Sequence, residues 1–263
     1  MHDNQPTAQL DIRGPALPES VYAADWIRKQ EATAAQQTGT SLFSLMQRAG
    51  EAAFQLARRC YPASRCWLIL CGQGNNGGDG YVVATLARAA GIDVVVVACV
   101  GERPLPPEAY LAHQAWRAAG GTEQTPDAPW PEDRDLIIDA LLGTGLSSAP
   151  RAPYDTLIAR ANHHIAPVLA LDIPSGLHAD TGACAGVVIT ANHTLTFIAL
   201  KSGLLTGRAR AYVGQLHHAD LGLSSWLRVH PAPMRRLSPL RLREWLQPRS
   251  PLAHKGDHGR LLL

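Results

Sequence analysis

Cysteine is scarce in this 263-residue chain. The five thiols, Cys60, Cys66, Cys71, Cys99 and Cys184, are odd in number and show no C-x-x-C spacing. They argue against a disulfide frame and a zinc ribbon, and they read as reduced, mostly buried groups of a cytosolic protein. Long apolar runs are also missing. The longest aliphatic stretch, 94–100, is far too short to cross a bilayer. The polar opening MHDNQPTAQLD lacks the apolar core of a secretory signal. Charge of one sign is lacking as well: 24 basic against 22 acidic residues leave a net charge of +2, which gives no footing for nucleic acid or an acidic surface. The histidine pairs 163–164 and 217–218 have no partners at metal-ligand spacing and read as solvated. The expectation is a cytoplasmic protein with neither a membrane nor a nucleic-acid partner.

What is present is a core. Hydrophobic residues make up 46% of the chain and charged ones 17%, enough for one α/β domain of ordinary size with some extra. The stretch 67–91 (WLILCGQGNNGGDGYVVATLARAAG) organises the rest. It reads as a strand over 67–71, a glycine-dense loop over 72–80 and a helix over 81–90. Gly72, Gly74 and Gly77 give G-x-G-x-x-G spacing, which lets backbone N–H groups approach a phosphate. An ordinary β–α turn needs those glycines too. It does not need Asn75, Asn76 and Asp79 beside them.

Before this stretch, residues 1–18 read as a loose leader. From Ser20 the pattern turns helical, with Val21, Ala24, Trp26 and Ile27 on an apolar face and Asp25, Arg28, Lys29 and Glu31 opposite. Ser41 is a plausible N-cap for a second helix, whose stripe through Leu45, Met46, Ala49, Ala53 and Leu56 is core. After it, 92–100 is a near-continuous β-branched run, as in a parallel sheet covered on both sides. A helix over 108–119, a proline-rich loop over 122–134, a strand over 135–142, a helix over 154–162 and a strand over 167–171 follow. One or two strands over 187–197, a loop at 201–203 and a last strand over 212–217 complete the series. This alternation predicts a doubly wound α/β fold with a mostly parallel sheet and an N-terminal helical extension. The domain spans 19–224. Residues 225–250 are rich in proline and arginine and read as a linker with a short helix near 240–246.

Three loops at strand ends carry the chemistry, because ligands bind at the carboxyl edge of an open parallel sheet. The first offers Asn75, Asn76 and Asp79. The second strand ends in Asp139, and its loop holds Gly143, Thr144, Gly145, Ser147 and Ser148. The third offers Asp172, Ser175 and Gly176. Bare amides near helix N-termini suit phosphate. Oxygen donors such as Asn76, Asp139 and Ser175 suit a hard cation. Each acid also has a structural reading, as a helix-start acid or an Asx turn. Lys201, in a Lys-Ser-Gly setting, reads either as a surface lysine or as a contact to phosphate or carboxylate. A conventional dehydrogenase would place an acid at the end of the second strand. Here that strand ends in Ala98-Cys99-Val100, with Glu102 beyond it, a poor fit.

GQGNNGGDG, DALLGTG and DIPSGL, followed by Thr194, Phe197, Lys201 and Gly203 in a T-x-x-F-x-x-x-K-x-G pattern, resemble the YjeF N-terminal domain, the NAD(P)H-hydrate epimerase family. The early LMQRAG is similar to that family's LME-x-AG helix, with Gln47 where the family has Glu. The resemblance covers about 21–222. It implies a three-layer Rossmann-like fold, a homodimer, and interconversion of the R and S forms of hydrated NADH and NADPH. It implies one potassium ion per subunit and no organic cofactor. Carried over by position, Asn76, Asp139 and Ser175 match the potassium ligands. Asn75, Asn76, Gly77, Gly78 and Asp79, then Gly143, Thr144, Gly145, Leu146, Ser147, Ser148 and Ala149, then Asp172, match the substrate-binding positions. Asp172 is the candidate acid/base, with Lys201 second. The tail HKGDHGRLLL resembles the opening of the ADP-dependent NAD(P)H-hydrate dehydratase domain. That implies that 251–263 begin a truncated second domain, and that ADP or ATP would serve only that missing half. The alternative is a non-catalytic nucleotide- or protein-binding module of the same fold.

Overall fold

The computed structural model describes residues 17–99, 101, 104–246 and 252. Its elements in chain order are β1 (Ser20–Tyr22), α1 (Ala24–Gln37), α2 (Leu42–Cys60), β2 (Cys66–Cys71), α3 (Asn75–Ala89), β3 (Asp93–Ala98), α4 (Pro107–Ala118) and β4 (Glu123–Gln124). They continue with β5 (Leu136–Ala140), α5 (Tyr154–His163), β6 (Val168–Leu171), β7 (His193–Phe197), β8 (Leu200–Lys201), β9 (Gln215–Ala219), α6 (Ser224–Arg228), β10 (Met234–Arg235) and α7 (Pro239–Trp245). The main sheet runs β4-β3-β2-β5-β6-β7-β9, and every neighbouring pair in it is parallel.

Alternation along β2 shows why the sheet is covered twice. Trp67, Ile69 and Cys71 enter the core shared with α2, α3 and α4, while Leu68 and Leu70 enter the core under α5. Three layers result, as the doubly wound reading expects. The chain moves outward from β2 to β3 and, on the other side, from β5 to β6. The β2/β5 boundary is therefore the switch point, where a crevice opens beyond the strand ends.

Ser41 does cap α2: its hydroxyl accepts the Ser44 N–H at 3.0 Å. Elsewhere the structure corrects the pattern. Residues 20–22 form a strand, because β1 pairs with β8 and β10 in a small second sheet. Residues 75–80 belong to α3 and not to a loop. Lys201 lies in β8, not in a loop. Residues 225–235, read as linker, carry most of α6 and all of β10. Trp226 there is buried against Trp26. His217 is also buried, facing His193 instead of solvent. All five cysteines are free thiols. Among the described residues no helix is long and apolar enough to cross a membrane. The readings placed on 1–16, on Val100 and Glu102 and on the tail beyond residue 252 lie outside the described residues.

Candidate functional site

A cleft of about 560 Å³ opens at the switch point. Its first wall is the start of α3. Gly74 is the N-cap, and Asn75, Asn76 and Asp79 follow within the first turns. The glycines around them serve close packing. A Cβ on Gly72 would sit 1.7 Å from the Leu141 carbonyl oxygen, and one on Gly77 would sit 2.0 Å from the Gly72 carbonyl oxygen. Gly78 is pressed against Met46 and Ala109. Helix propensity alone would leave these residues in a loop, but the tight seat on β2 and β5 overrides it. Gly77 and Gly78 therefore face protein and do not line the cleft. Gly74 has open space where a Cβ would stand.

The second wall is the loop after β5. Gly143, Thr144, Gly145, Leu146, Ser147 and Ser148 line the cleft, and Ala149 does not. Beneath this loop, Asp139 and Ser175 have no exposed surface. The Ser175 N–H donates to one Asp139 carboxylate oxygen at 2.8 Å, and the Ser175 hydroxyl donates to the other at 2.6 Å. The same hydroxyl accepts the Leu142 N–H at 2.8 Å. The Asn76 Nδ2 donates to the Leu142 carbonyl at 3.2 Å, the same carbonyl that the Ser175 hydroxyl approaches at 3.3 Å. Asn76 Oδ1 is buried and has no hydrogen-bond partner among the described residues. Burial pushes the Asp139 carboxyl up to about 6 against the hydrogen bonds from Ser175 and Leu141, and no basic side chain contributes to its balance. A buried amide oxygen without a partner, linked through the Leu142 carbonyl and the Ser175 hydroxyl to a buried carboxylate that no basic side chain offsets, belongs to a donor set that fits a hard monovalent cation. Sequence grouped Asn76, Asp139 and Ser175, and the fold brings them together.

The third wall carries Asp172 and Lys201. Asp172 holds a left-handed backbone, φ 62°, directly after β6. Such conformations in non-glycine residues persist where surroundings impose them. Here its Oδ1 accepts the Phe197 N–H at 3.2 Å, and it also takes the Lys201 ammonium. Lys201 is 2% exposed. Its ammonium also donates to Thr196 Oγ1 at 3.0 Å and to the Phe197 carbonyl at 2.8 Å, so its three N–H bonds are used. The surface reading of this lysine is thereby excluded.

Two more acids face this pair. Burial raises the Asp79 carboxyl well above the usual carboxylate range, with Asp172 and Glu31 adding to the rise and Lys201 opposing it. Burial raises Glu31 too, again with help from Asp172. Glu31 corrects the sequence reading, which set it on the solvent face of α1. Ala24, Ile27, Ala34 and Ala35 are the buried positions of α1, and 24, 27, 31, 34 and 35 follow one helical stripe. A carboxylate inside an apolar stripe was the available signal. Gln73 and Phe197 also line the cleft, within motifs but not named as site residues, and so do Arg28, Glu108 and Tyr154, which carried no motif.

The chain spans about half the length of several curated relatives that it matches. It is 56% identical over 248 residues to the bifunctional NAD(P)H-hydrate repair enzyme Nnr of Escherichia coli (strain K12), covering 94% of this chain and 48% of that protein. It is 36% identical over 207 residues to the NAD(P)H-hydrate epimerase of Limosilactobacillus fermentum, covering 78% of this chain and 98% of that protein. The fold matches the crystal structure of yeast ynu0, YNL200c, with a TM-score of 0.64 at 21% identity, over 75% of this chain and 86% of that one. The profile of the family described as "YjeF-related protein N-terminus" covers residues 42–203, and with these relatives it shows that the chain belongs to that family.

Proposed function

We propose that this chain interconverts the R and S forms of hydrated NADH and NADPH. The observation that carries the reading is the cluster at the third wall. A strained Asp172 and a buried Lys201 face two acids, Asp79 and Glu31, whose carboxyls burial favours in the neutral form. Epimerisation at the hydrated ring carbon needs its hydroxyl to leave and return on either face. The leaving oxygen takes a proton and departs as water, while the ring nitrogen's lone pair stabilises the cation. Water then adds back and gives up a proton. A base fixed near that oxygen and two acids whose hold on a proton burial strengthens supply both halves of this exchange. Asp172 is the acid/base, Lys201 holds its carboxylate in place, and Asp79 and Glu31 are proton donors.

Asn75, the open Gly74 position and the loop 143–148 offer amides and hydroxyls to the pyrophosphate, and Arg28 reaches toward Gly145 from the opposite side. Asn76, Asp139 and Ser175 would hold a potassium ion, whose charge would compensate the buried carboxylate beneath the substrate loop. A homodimer in the cytoplasm, with residues 19–224 as the epimerase domain, is part of the same reading.

The test is a coupled assay. A purified dehydratase specific for the S hydrate is given a mixture of both forms, with and without this chain. Faster disappearance of the R form supports epimerisation. Binding of the hydrates without acceleration would instead make the chain a non-catalytic module.

A further inference from the structure

The edge of the sheet remote from the cleft holds a second constellation. Cys60 is the last residue of α2 and His193 the first of β7, while His217 lies in β9. The register pairs His193 with Gln215 and Leu195 with His217, so the two imidazoles are diagonal neighbours on one face of the sheet. That face is the one α2 covers. Cys60 Sγ lies 3.9 Å from His193 Nδ1, and His193 Nδ1 lies 2.9 Å from His217 Nε2. All three ligand atoms fall within 4.8 Å of one another. The cleft chemistry uses none of them.

We propose that Cys60, His193 and His217 form a site for one zinc-class divalent ion, with its fourth position left to water or an added ligand. A tetrahedral ion with bonds of about 2.3 Å to sulfur and about 2.0–2.1 Å to nitrogen sets S···N near 3.6 Å and N···N near 3.3 Å. The Cys60–His193 and His193–His217 spacings stand within about 0.4 Å of those values, and Cys60 Sγ lies within 4.8 Å of the His217 nitrogen, so closing on an ion asks for movement of the Cys60 side chain. Thiolate with imidazole selects zinc-like ions over magnesium or calcium. The Tyr61 ring stands edge-on to His193 and closes one side.

One proton leaves per ion bound, that of the Cys60 thiol. The proton between the imidazoles moves to the far nitrogen of its own ring. A comparable grouping, Cys66 with Asp93 and Asp133, is already committed. Both of its acids bind Arg134, at 2.6 and 2.8 Å.

The experiment uses the full chain without a histidine tag, stripped by chelator and titrated with Co²⁺ and then Zn²⁺. One equivalent of Co²⁺ should raise a thiolate-to-cobalt charge-transfer band that Zn²⁺ abolishes. Cys60→Ser should lose the band, and Cys66→Ser should keep it. His217→Gln should weaken binding by at least about tenfold, since loss of even an outer-shell partner weakens metal binding 10- to 100-fold. Far-ultraviolet circular dichroism checks that each variant folds. Absence of the band in the parent chain at equimolar Co²⁺ overturns the proposal and leaves a hydrogen-bonded triad. Survival of the band in Cys60→Ser overturns it as well.

Discussion

Asp172 can be tested cleanly because asparagine also tolerates a left-handed backbone. Asp172→Asn should keep the fold and reduce R-hydrate turnover by about 10²-fold or more, the usual range for a lost acid/base. Unchanged turnover would remove Asp172 from the chemistry. Asp79 allows a separate test by pH. Its carboxyl is raised in the folded state by burial, Asp172 and Glu31, with Lys201 opposed. Above the ordinary carboxylate range the unfolded chain ionises while the folded one resists. The contribution of Asp79 to stability is therefore full below about pH 4 and is lost as pH climbs toward the folded value. Asp79→Asn removes that loss. Thermal melts should find the variant's Tm falling less than the parent's between about pH 5 and about pH 8. At this scale the sequence was a good guide to residues at strand ends. Asp139, near the end of β5, and Asp172, directly after β6, were legible because a carboxylate closing an apolar run has few places to go, and Ser175 was legible through the short turn that follows Asp172. Glu31 was hidden because a carboxylate in an amphipathic helix is assigned to solvent unless its position in the stripe is counted.

The β2–α3 junction separates two uses of glycine. Gly72→Ala and Gly77→Ala must push a methyl into backbone oxygens, so each should lower stability by roughly 1–3 kcal/mol. Gly74→Ala meets no atom within 4 Å and should lower stability by less than about 1 kcal/mol, acting on KM for the hydrate instead. Denaturant midpoints beside kinetics on the three variants check this. Equal destabilisation by all three would show that the junction is an ordinary turn. This explains a partial misreading. The element order β2, α3, β3, α4, β5, α5, β6 was legible from periodicity. The start of α3 was not, since glycine density imitates a loop until the partner backbone is known. β1 was missed for a related reason: three residues running into a helix carry no period of their own, and their pairing partners lie far along the chain.

At the level of the whole molecule, residues 223–235 belong to the fold. Trp226 stacks on His230 with ring centroids 3.8 Å apart and tilts against Trp26 at 5.8 Å. The Tyr22 hydroxyl donates to the His230 carbonyl at 2.8 Å. A chain cut after residue 222 should lose roughly 2–3 kcal/mol through the exposed tryptophan contacts, read as a lower urea midpoint. No change in midpoint would return these residues to the status of a linker. Composition misled here, because proline and arginine frequency says nothing about where a single tryptophan lands.

The small sheet has its own consequence for the lysine. β1 is zipped to β8 in parallel, with Tyr22 opposite Lys201, and to β10 in antiparallel fashion, with Ser20 opposite Arg235. β1 is therefore the middle strand, and it joins the strand that presents the ammonium to β10 on its other side. The backbone position of Lys201, and with it the ammonium that steadies Asp172, thus leans on a strand from near residue 20 that is itself braced by one near residue 235.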